Sequence, residues 1–597
     1  MVNVWKEYCD KIFKTDVLVI GAGSSGLRAA IEAKDQGAEV TLIAKGKIPG
    51  GASVMTAFIA AAMGGDSGTP QEHFQDTVYG GAFLNNQKLV RILVDEAPNR
   101  IKELEQWGML FARDYPEYYI AVREGGTTRP RLIQTASRGS GNRSPHILFE
   151  QALDRDIKLH IYTFATSLLK RGHEVIGATA IDMKTGDFMV LQAKSTIMAS
   201  GGTSKIYTRG ACARLNTGDG FSMGLKAGAT LTNMEFMQYI PLGIMHPGSA
   251  DGYTLGGTPK AKEGYLLNKD GERFMERYDP EWMEKANRAR MTIAIAKEIR
   301  EGRASKNGGV FVDLRKITEE EKGRHYKYQP YFPFCLKEIY GEKVGEFLAP
   351  YEVQPTALYQ MGGIKINERC ETSVLSLFAV GEVSSGVHGA NRLGGNSMAE
   401  CLVFGKIAGS SAAERAKKID FKEIEENELR KERERVFSPL EKNRGYDPRT
   451  AKERMQRIMW EHVGVIRNQS GLNEGIEKLE RIRDTILGNL FCTNKSSRMN
   501  FEWMEAIEVA NMVELGLSMA KAALFRTESR EAHYREDFPD GFPQGDNKNW
   551  CVETGMLKKY GELSIFKIPV EHTEIKPGEF TIDRHALKDI PYRTMKA

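Results

Sequence analysis

No two of the seven cysteines stand in a C-x-x-C or other metal-like spacing; Cys9, Cys212, Cys335, Cys370, Cys401, Cys492 and Cys551 are scattered along 597 residues. Iron–sulfur clusters of the usual type need grouped thiolates, so this chain is not expected to carry one. Scattered thiols also suit a reducing compartment better than a disulfide framework. No apolar run approaches the ~18 residues of a membrane span, and the N-terminus lacks the basic, apolar and small-residue order of a signal peptide. Excess charge of one sign is missing too: 83 basic residues are interspersed with 79 acidic ones, leaving +4. That balance gives no field for nucleic acid. We find no internal repeat and no low-complexity segment. These absences lead to the expectation of a cytoplasmic protein, with docking at the inner face of a membrane through a partner left open.

What is present is an ordinary globular composition, 41% hydrophobic and 27% charged, on a chain long enough for about two to four domains. Its most informative segment is the apolar run Val17-Leu18-Val19-Ile20, leading into Gly21-Ala-Gly23-Ser-Ser-Gly26 and then an Ala-rich helical stretch. Strand, glycine turn and helix start together make a pyrophosphate cradle. Gly21 permits the tight turn, Gly23 admits the phosphates to the backbone, and Gly26 lets helix and strand pack closely. The helix N-terminus adds N–H groups and a positive dipole end. A second strand, Val40-Thr-Leu-Ile43, follows at the distance a β-α-β unit requires.

Beyond this unit, apolar spacing predicts helix between Gln71 and Trp107, and residues 158–200 alternate as strands that end in Gly201-Gly202, a second backbone approach to a nucleotide. From about 235 to 350 the pattern breaks into short elements rich in Gly, Pro and charge, which reads as an inserted domain. Leu377-Phe-Ala-Val-Gly381-Glu382 and the helix from Asn396 return the chain to the dinucleotide domain. The charged run 421–437 reads as a solvated helix, two further helical stretches reach about 525, and a polar, loop-rich tail closes the chain. The expected divisions are 1–234 and 351–415 for the nucleotide domain, 235–350 for the insertion, 416–535 for a helical domain and 536–597 for the tail.

Further motifs fall in order along the chain: Thr217-Gly-Asp219-Gly220, Met234-Glu-Phe236, Met361-Gly-Gly-Ile364, Phe378-Ala-Val-Gly381-Glu382, His388-Gly-Ala-Asn-Arg392-Leu-Gly-Gly-Asn396-Ser397, and the late run from Arg526 to Pro539. Together they resemble the flavoprotein subunits of fumarate reductase and succinate dehydrogenase, with L-aspartate oxidase as a relative, over residues 15 to about 540. The resemblance implies an α/β fold: a Rossmann-like FAD-binding domain interrupted by an α+β capping domain, followed by a C-terminal helical domain. It implies FAD held at Gly21, Gly23, Gly26, Ala44, Lys45, Ser53, Gly201, Gly202, Asp219, Glu382, Arg392, Asn396 and Ser397, no bound metal, and electrons exchanged with a separate iron–sulfur subunit. Asp219 and Glu382 carry a physical reason as well, since each carboxylate sits beside glycine at a turn where it can accept from ribose or ribityl hydroxyls.

The departures from the family are as telling. Respiratory members often attach FAD to a histidine after the second strand; no histidine precedes His73 here, so the flavin is expected to be non-covalent. Where the family reads Q-Y/F-H-P-T-G, this chain has Gln238-Tyr239-Ile240-Pro241-Leu242-Gly243, and the family's second histidine is Leu358. The family's acidic relay residue and its arginine align with Gly257 and Lys260. Two catalytic positions survive by resemblance: Arg392, the substrate-carboxylate clamp, and Arg288, the proton-delivering arginine, although Ala289 replaces the acid that usually follows it.

Each uncompensated buried carboxylate costs several kcal/mol. Replacing two histidines and a threonine by Ile240, Leu358 and Leu242 therefore argues against efficient turnover of fumarate or succinate. A small organic acid with one carboxylate, or a bulkier apolar one, fits better, with His246 as a residue that could rejoin the pocket. Two other readings remain open: an electron-relay flavin subunit with no organic substrate of its own, and an adenylylsulfate reductase-like flavoprotein.

Overall fold

The computed structural model describes residues 8–582 apart from 57, 116–117, 124, 137–142, 255–263, 329–330 and 560, together with 593–594. The first strand, β1 (Lys11–Ile20), buries its last four residues, Val17–Ile20. Helix α1 (Ser24–Asp35) follows, and its Leu27, Ala30 and Ile31 are fully buried. β2 (Val40–Ala44) then pairs parallel to β1, Val17 against Val40 through Ile20 against Ile43. Runs of β-branched and leucine side chains buried on both faces are what a parallel sheet demands. Burial of each such side chain is worth about 1.5–3 kcal/mol.

The sheet continues with β3 (Lys158–Ile161), β4 (Thr163–Arg171), β5 (Glu174–Asp182) and β6 (Phe188–Met198), in the spatial order β3-β2-β1-β6-β5-β4. β3, β2, β1 and β6 run parallel, whereas β5 and β4 return as antiparallel neighbours. After β6 come α2 (Asp219–Ala227) and β7 (Met237–Ile244). β7 belongs to a different, four-stranded sheet with β8 (Tyr265–Leu267), β9 (Val310–Asp313) and β10 (Tyr351–Gln360), in the order β7-β10-β9-β8. Against it packs α3 (Arg288–Arg300), which Asn287 caps by accepting the Arg290 N–H. Residues from Leu242 to Val353 form a hydrophobic core of their own around Ile244, Met275, Ile295, Val312 and Phe332.

β11 (Leu377–Ala379) rejoins the large sheet as a parallel partner of β6. α4 (Asn396–Ala416) then lies directly on α1. Their approach is so close that a Cβ at Gly409 would stand 2.3 Å from the Ala29 carbonyl oxygen, which only glycine avoids.

Where two helical stretches are expected before 525, the structure has three: α5 (Pro448–His462), α6 (Gln469–Arg481) and α7 (Phe501–Phe525). Asp447, Asn468 and Asn500 cap them and divide the run. The tail also differs from the expectation of loop. Val552–Lys559 and Glu562–Pro569 form a hairpin, and its first strand pairs with Leu231–Thr232. Along its outer strand Leu563, Ile565 and Ile568 are half-buried between exposed neighbours, a short alternation set within a polar tail. Among the described residues no helix is long and apolar enough to cross a membrane.

Candidate functional site

A cavity of about 780 Å³ opens where the carboxyl ends of β1, β2 and β6 meet residues of the second sheet and the segment before α4. In open α/β sheets this edge is where ligands bind. Of the residues singled out from the sequence, Gly21, Gly23, Ala44, Lys45, Ser53, Gly201, Asp219, Arg288, Glu382, Arg392 and Ser397 line it together. Gly26, Gly202 and Asn396 do not.

At the nucleotide end the backbone makes the first demands. Gly21 sits at φ +114, and a Cβ there would lie 2.2 Å from the Ala199 carbonyl oxygen. Gly26 lies behind the cavity, where a Cβ would meet the Gly21 carbonyl oxygen at 1.9 Å; its role is packing of α1 on the turn. Gly23 precedes α1 without a side chain to cap it, and Ser53 Oγ accepts the Ser24 N–H at 3.1 Å. Such a turn and helix start can hold a pyrophosphate.

A buried charge network closes this end. Lys45 Nζ donates to Asp219 Oδ2 at 2.7 Å, Thr217 Oγ1 at 2.8 Å and Glu508 Oε1 at 2.9 Å. Lys452 Nζ donates to the other Glu508 oxygen at 2.8 Å, and Asn511 Nδ2 to Asp219 Oδ1 at 2.9 Å. Burial opposes the Lys45 charge, but Asp219 and Glu508 outweigh it and hold its pKa above the ordinary lysine value. The Asp219 carboxyl is held low by Lys45 and its other donors, against its own burial. Glu508, Lys452 and Asn511 come from α5 and α7, and a helix-face charge gives no sequence signal that it is buried in a site.

In the middle, Glu382 accepts the Gln360 N–H at 3.0 Å. Burial pushes its carboxyl up to about 8, against the pull of that N–H and of Arg392. Gly202 is the glycine that admits it: a Cβ there would stand 1.9 Å from Glu382 Oε1. Ser200 Oγ, also at the cavity wall, is buried with no hydrogen-bond partner among the described residues. A polyol chain with hydroxyl donors matches what these groups lack.

The Asn396 side chain is engaged within the chain. Its Nδ2 donates to Thr77 Oγ1 at 3.0 Å and its Oδ1 faces His73 Nε2 at 2.8 Å, so its amide turns away from the cavity. Burial, with Arg131 nearby, pushes His73 down to about 3, which leaves a neutral imidazole that donates to Asn396.

At the far end the two predicted arginines meet. Arg392 Nη2 and Arg288 Nη1 donate to the same oxygen, Gln238 Oε1, at 2.9 and 3.2 Å. The orientation of Gln238 follows from its other side, where Nε2 donates to Asn391 Oδ1 at 2.7 Å and the Arg392 carbonyl at 2.8 Å. The Arg392 guanidinium lies 4.8 Å from the Tyr359 ring centre. Behind it, Tyr359 Oη donates to Glu400 Oε2 at 2.8 Å, which His388 Nε2 also approaches at 2.9 Å. Ile240, Pro241, Leu242, Met291 and Leu358 complete this wall, with Tyr253 and Tyr331 at its edge. His246 is exposed and is not among the lining residues. Gly257 and Lys260 lie outside the described residues. Gln238 is legible only as part of its motif; no spacing marks it as the common acceptor.

A family model described as FAD binding domain matches residues 16–398, and one described as Fumarate reductase flavoprotein C-term matches 452–582. The matching polypeptide of the CoM/CoB fumarate reductase of Methanothermobacter marburgensis is 36% identical over 540 residues, covering 89% of this chain and 96% of that protein. The fumarate reductase flavoprotein subunit of Escherichia coli is 32% identical over 93% of this chain and 95% of its own length. A solved chain of E. coli quinol fumarate reductase superposes with a TM-score of 0.87 at 31% identity, covering 95% of this chain and 98% of that one. Adenylylsulfate reductase from Archaeoglobus fulgidus, at TM-score 0.75 and 20% identity, shares the fold. This chain belongs to the fumarate reductase/succinate dehydrogenase flavoprotein family and is an FAD-dependent oxidoreductase.

Proposed function

We propose that this protein reduces or forms a carbon–carbon double bond beside a single carboxylate, in a substrate whose remaining surface is apolar. The observation that carries this reading is the convergence of Arg288 and Arg392 on Gln238 Oε1, with Ile240, Leu242, Met291 and Leu358 among the described residues that line the same cavity. One carboxylate has two guanidinium groups to meet it; a second would lie against hydrocarbon at a cost of several kcal/mol.

FAD suits the rest of the cavity. Gly21, Gly23, Ser53 and the start of α1 would take its pyrophosphate, Ala44, Lys45 and Asp219 would border the adenosine, and Gly201, Glu382 and Ser397 would border the ribityl chain and ring. Gly26, Gly202 and Asn396 would act through the shape of the fold. When bound, the flavin supplies two-electron exchange with the substrate's carbon pair. Arg392 binds the carboxylate and sets the reacting carbons in place. Arg288 Nη1 holds the proton destined for the substrate beside the same point. Gln238 fixes both guanidinium groups. No histidine precedes His73, and His73 is consumed by Asn396, so we assign the flavin as non-covalent. Since the seven cysteines are scattered with no C-x-x-C spacing, a separate iron–sulfur protein is the assigned electron partner.

The test is flavin reoxidation. Holoprotein reduced with viologen is offered fumarate and a panel of 2-enoates, and apolar monocarboxylates are expected to reoxidise it at least about ten times faster than fumarate. Fumarate as the fastest acceptor would defeat the reading. If no organic acceptor works and a co-purifying iron–sulfur protein still reduces the flavin, the electron-relay function replaces it.

A further inference from the structure

The apolar wall does not stop at the main cavity. Tyr253 and Tyr331 line it and also line a second recess of about 410 Å³ formed with Pro247, Ala250, Phe334 and Ile339. Tyr331 opens the helix Tyr331–Tyr340, and Tyr331, Phe334, Cys335, Glu338 and Ile339 recur at the spacing of one helix face, all on the recess. Tyr253 is fixed from the opposite side: its carbonyl accepts the Ile244 N–H at 2.9 Å, at the end of the strand that carries Ile240 and Leu242. The two tyrosine hydroxyls hydrogen-bond to each other across the junction. Apolar side chains therefore lie on both sides of the tyrosine pair, Ile240 and Leu242 in the main cavity and Phe334 and Ile339 in the recess. Phe334 is 58% exposed, an apolar surface that a ligand would cover. The charged side chain on the recess is acidic, Glu338, which disfavours a second carboxylate there.

We propose that this recess is a tail subsite: it receives the uncharged alkyl chain of a 2-enoate whose carboxylate lies at Arg392. The proposal rests on the monocarboxylate reading of the main cavity and names the substrate class that follows from it. The Tyr253–Tyr331 hydroxyl contact marks the boundary that the chain must cross by displacing it, and selectivity there is for chain length.

The experiment titrates oxidised holoenzyme, without an electron donor, with crotonate, 2-hexenoate, 2-octenoate and fumarate, reading the flavin absorbance shift. Affinity is expected to rise roughly fourfold per added methylene from crotonate to 2-octenoate. Phe334→Ala, an exposed position where folding is not at stake, and Ile339→Asp are both expected to compress the crotonate-to-octenoate Kd ratio, Ile339→Asp by at least about tenfold. Crotonate binding with no gain along the series overturns the tail subsite and leaves the monocarboxylate reading standing. A chain-length gain that survives both substitutions also overturns it. Fumarate binding tighter than every enoate overturns the monocarboxylate reading itself, and the subsite with it.

Discussion

The two ends of the cavity are built on opposite principles. The nucleotide end uses backbone and fixed charge: a glycine turn at φ +114, a helix start, and Lys45 locked between Asp219 and Glu508. The substrate end sets two guanidinium groups on one neutral amide oxygen and surrounds them with aliphatic side chains. One end is saturated with partners from within the chain. The other, on the proposed function, takes a carboxylate from outside the chain. Changes at the first should therefore read out as stability and flavin content, and changes at the second as turnover with flavin retained.

The sharpest way to break that contrast is to exchange the readouts. Asp219→Ala leaves Lys45 and Asn511 short of a partner in a buried network, and we expect a stability loss of about 3 kcal/mol with flavin lost on gel filtration. Thermal melting and the flavin-to-protein absorbance ratio measure both. Arg392→Ala should do the reverse, lowering kcat/KM by about 10² to 10³ while most flavin stays bound. If Arg392→Ala empties the flavin and Asp219→Ala spares it, the division of the cavity is wrong.

Glu382 stands between the ends, and pH probes it. Its folded pKa is raised by burial from 4.5 to about 8, so the folded state holds a proton that the unfolded state has released. Its contribution is fully present below about 4.5 and is lost as pH rises through about 8, with a slope of at most ~1.4 kcal/mol per pH unit. The apoprotein's melting temperature should fall over that window, and Glu382→Gln should flatten the fall. A slope unchanged in Glu382→Gln would assign it to other groups.

Legibility followed the range of the physics. The turn from Gly21 to Gly26 can be read because its constraint is local: each glycine answers to backbone a few residues away or to the adjoining strand. Arg392, Ile240 and Leu358 can be read because they stand inside motifs whose pattern is known. Lys45 bonding to Glu508 cannot, since the partners are 463 positions apart and a glutamate on α7 looks like any solvated helix charge. Asn396 stands in the right motif, yet the direction of its amide depends on Thr77 and His73, which come from a separate helix. The tail hairpin does carry the alternation that marks a strand, with Leu563 and Ile565 half-buried beside exposed Glu562 and Ser564, but over a stretch too short to stand out in a polar tail.

The mildest change asks whether the apolar wall selects the substrate or merely fills space. Ile240→His with Leu358→His restores two donors to positions lining the arginine end. A hydrogen bond to a charged group is worth about 1.5–3 kcal/mol, part of which is spent desolvating the imidazoles. We therefore expect about a tenfold rise in kcat/KM for fumarate, and a fall for 2-octenoate as hydrocarbon contact is lost. Imidazoles with ordinary pKa values near ~6.5 are protonated on the acid side, so the gain for fumarate should be larger at pH 6 than at pH 8. A double variant that gains nothing on fumarate at either pH, and loses nothing on 2-octenoate, would show that Ile240 and Leu358 do not set the specificity.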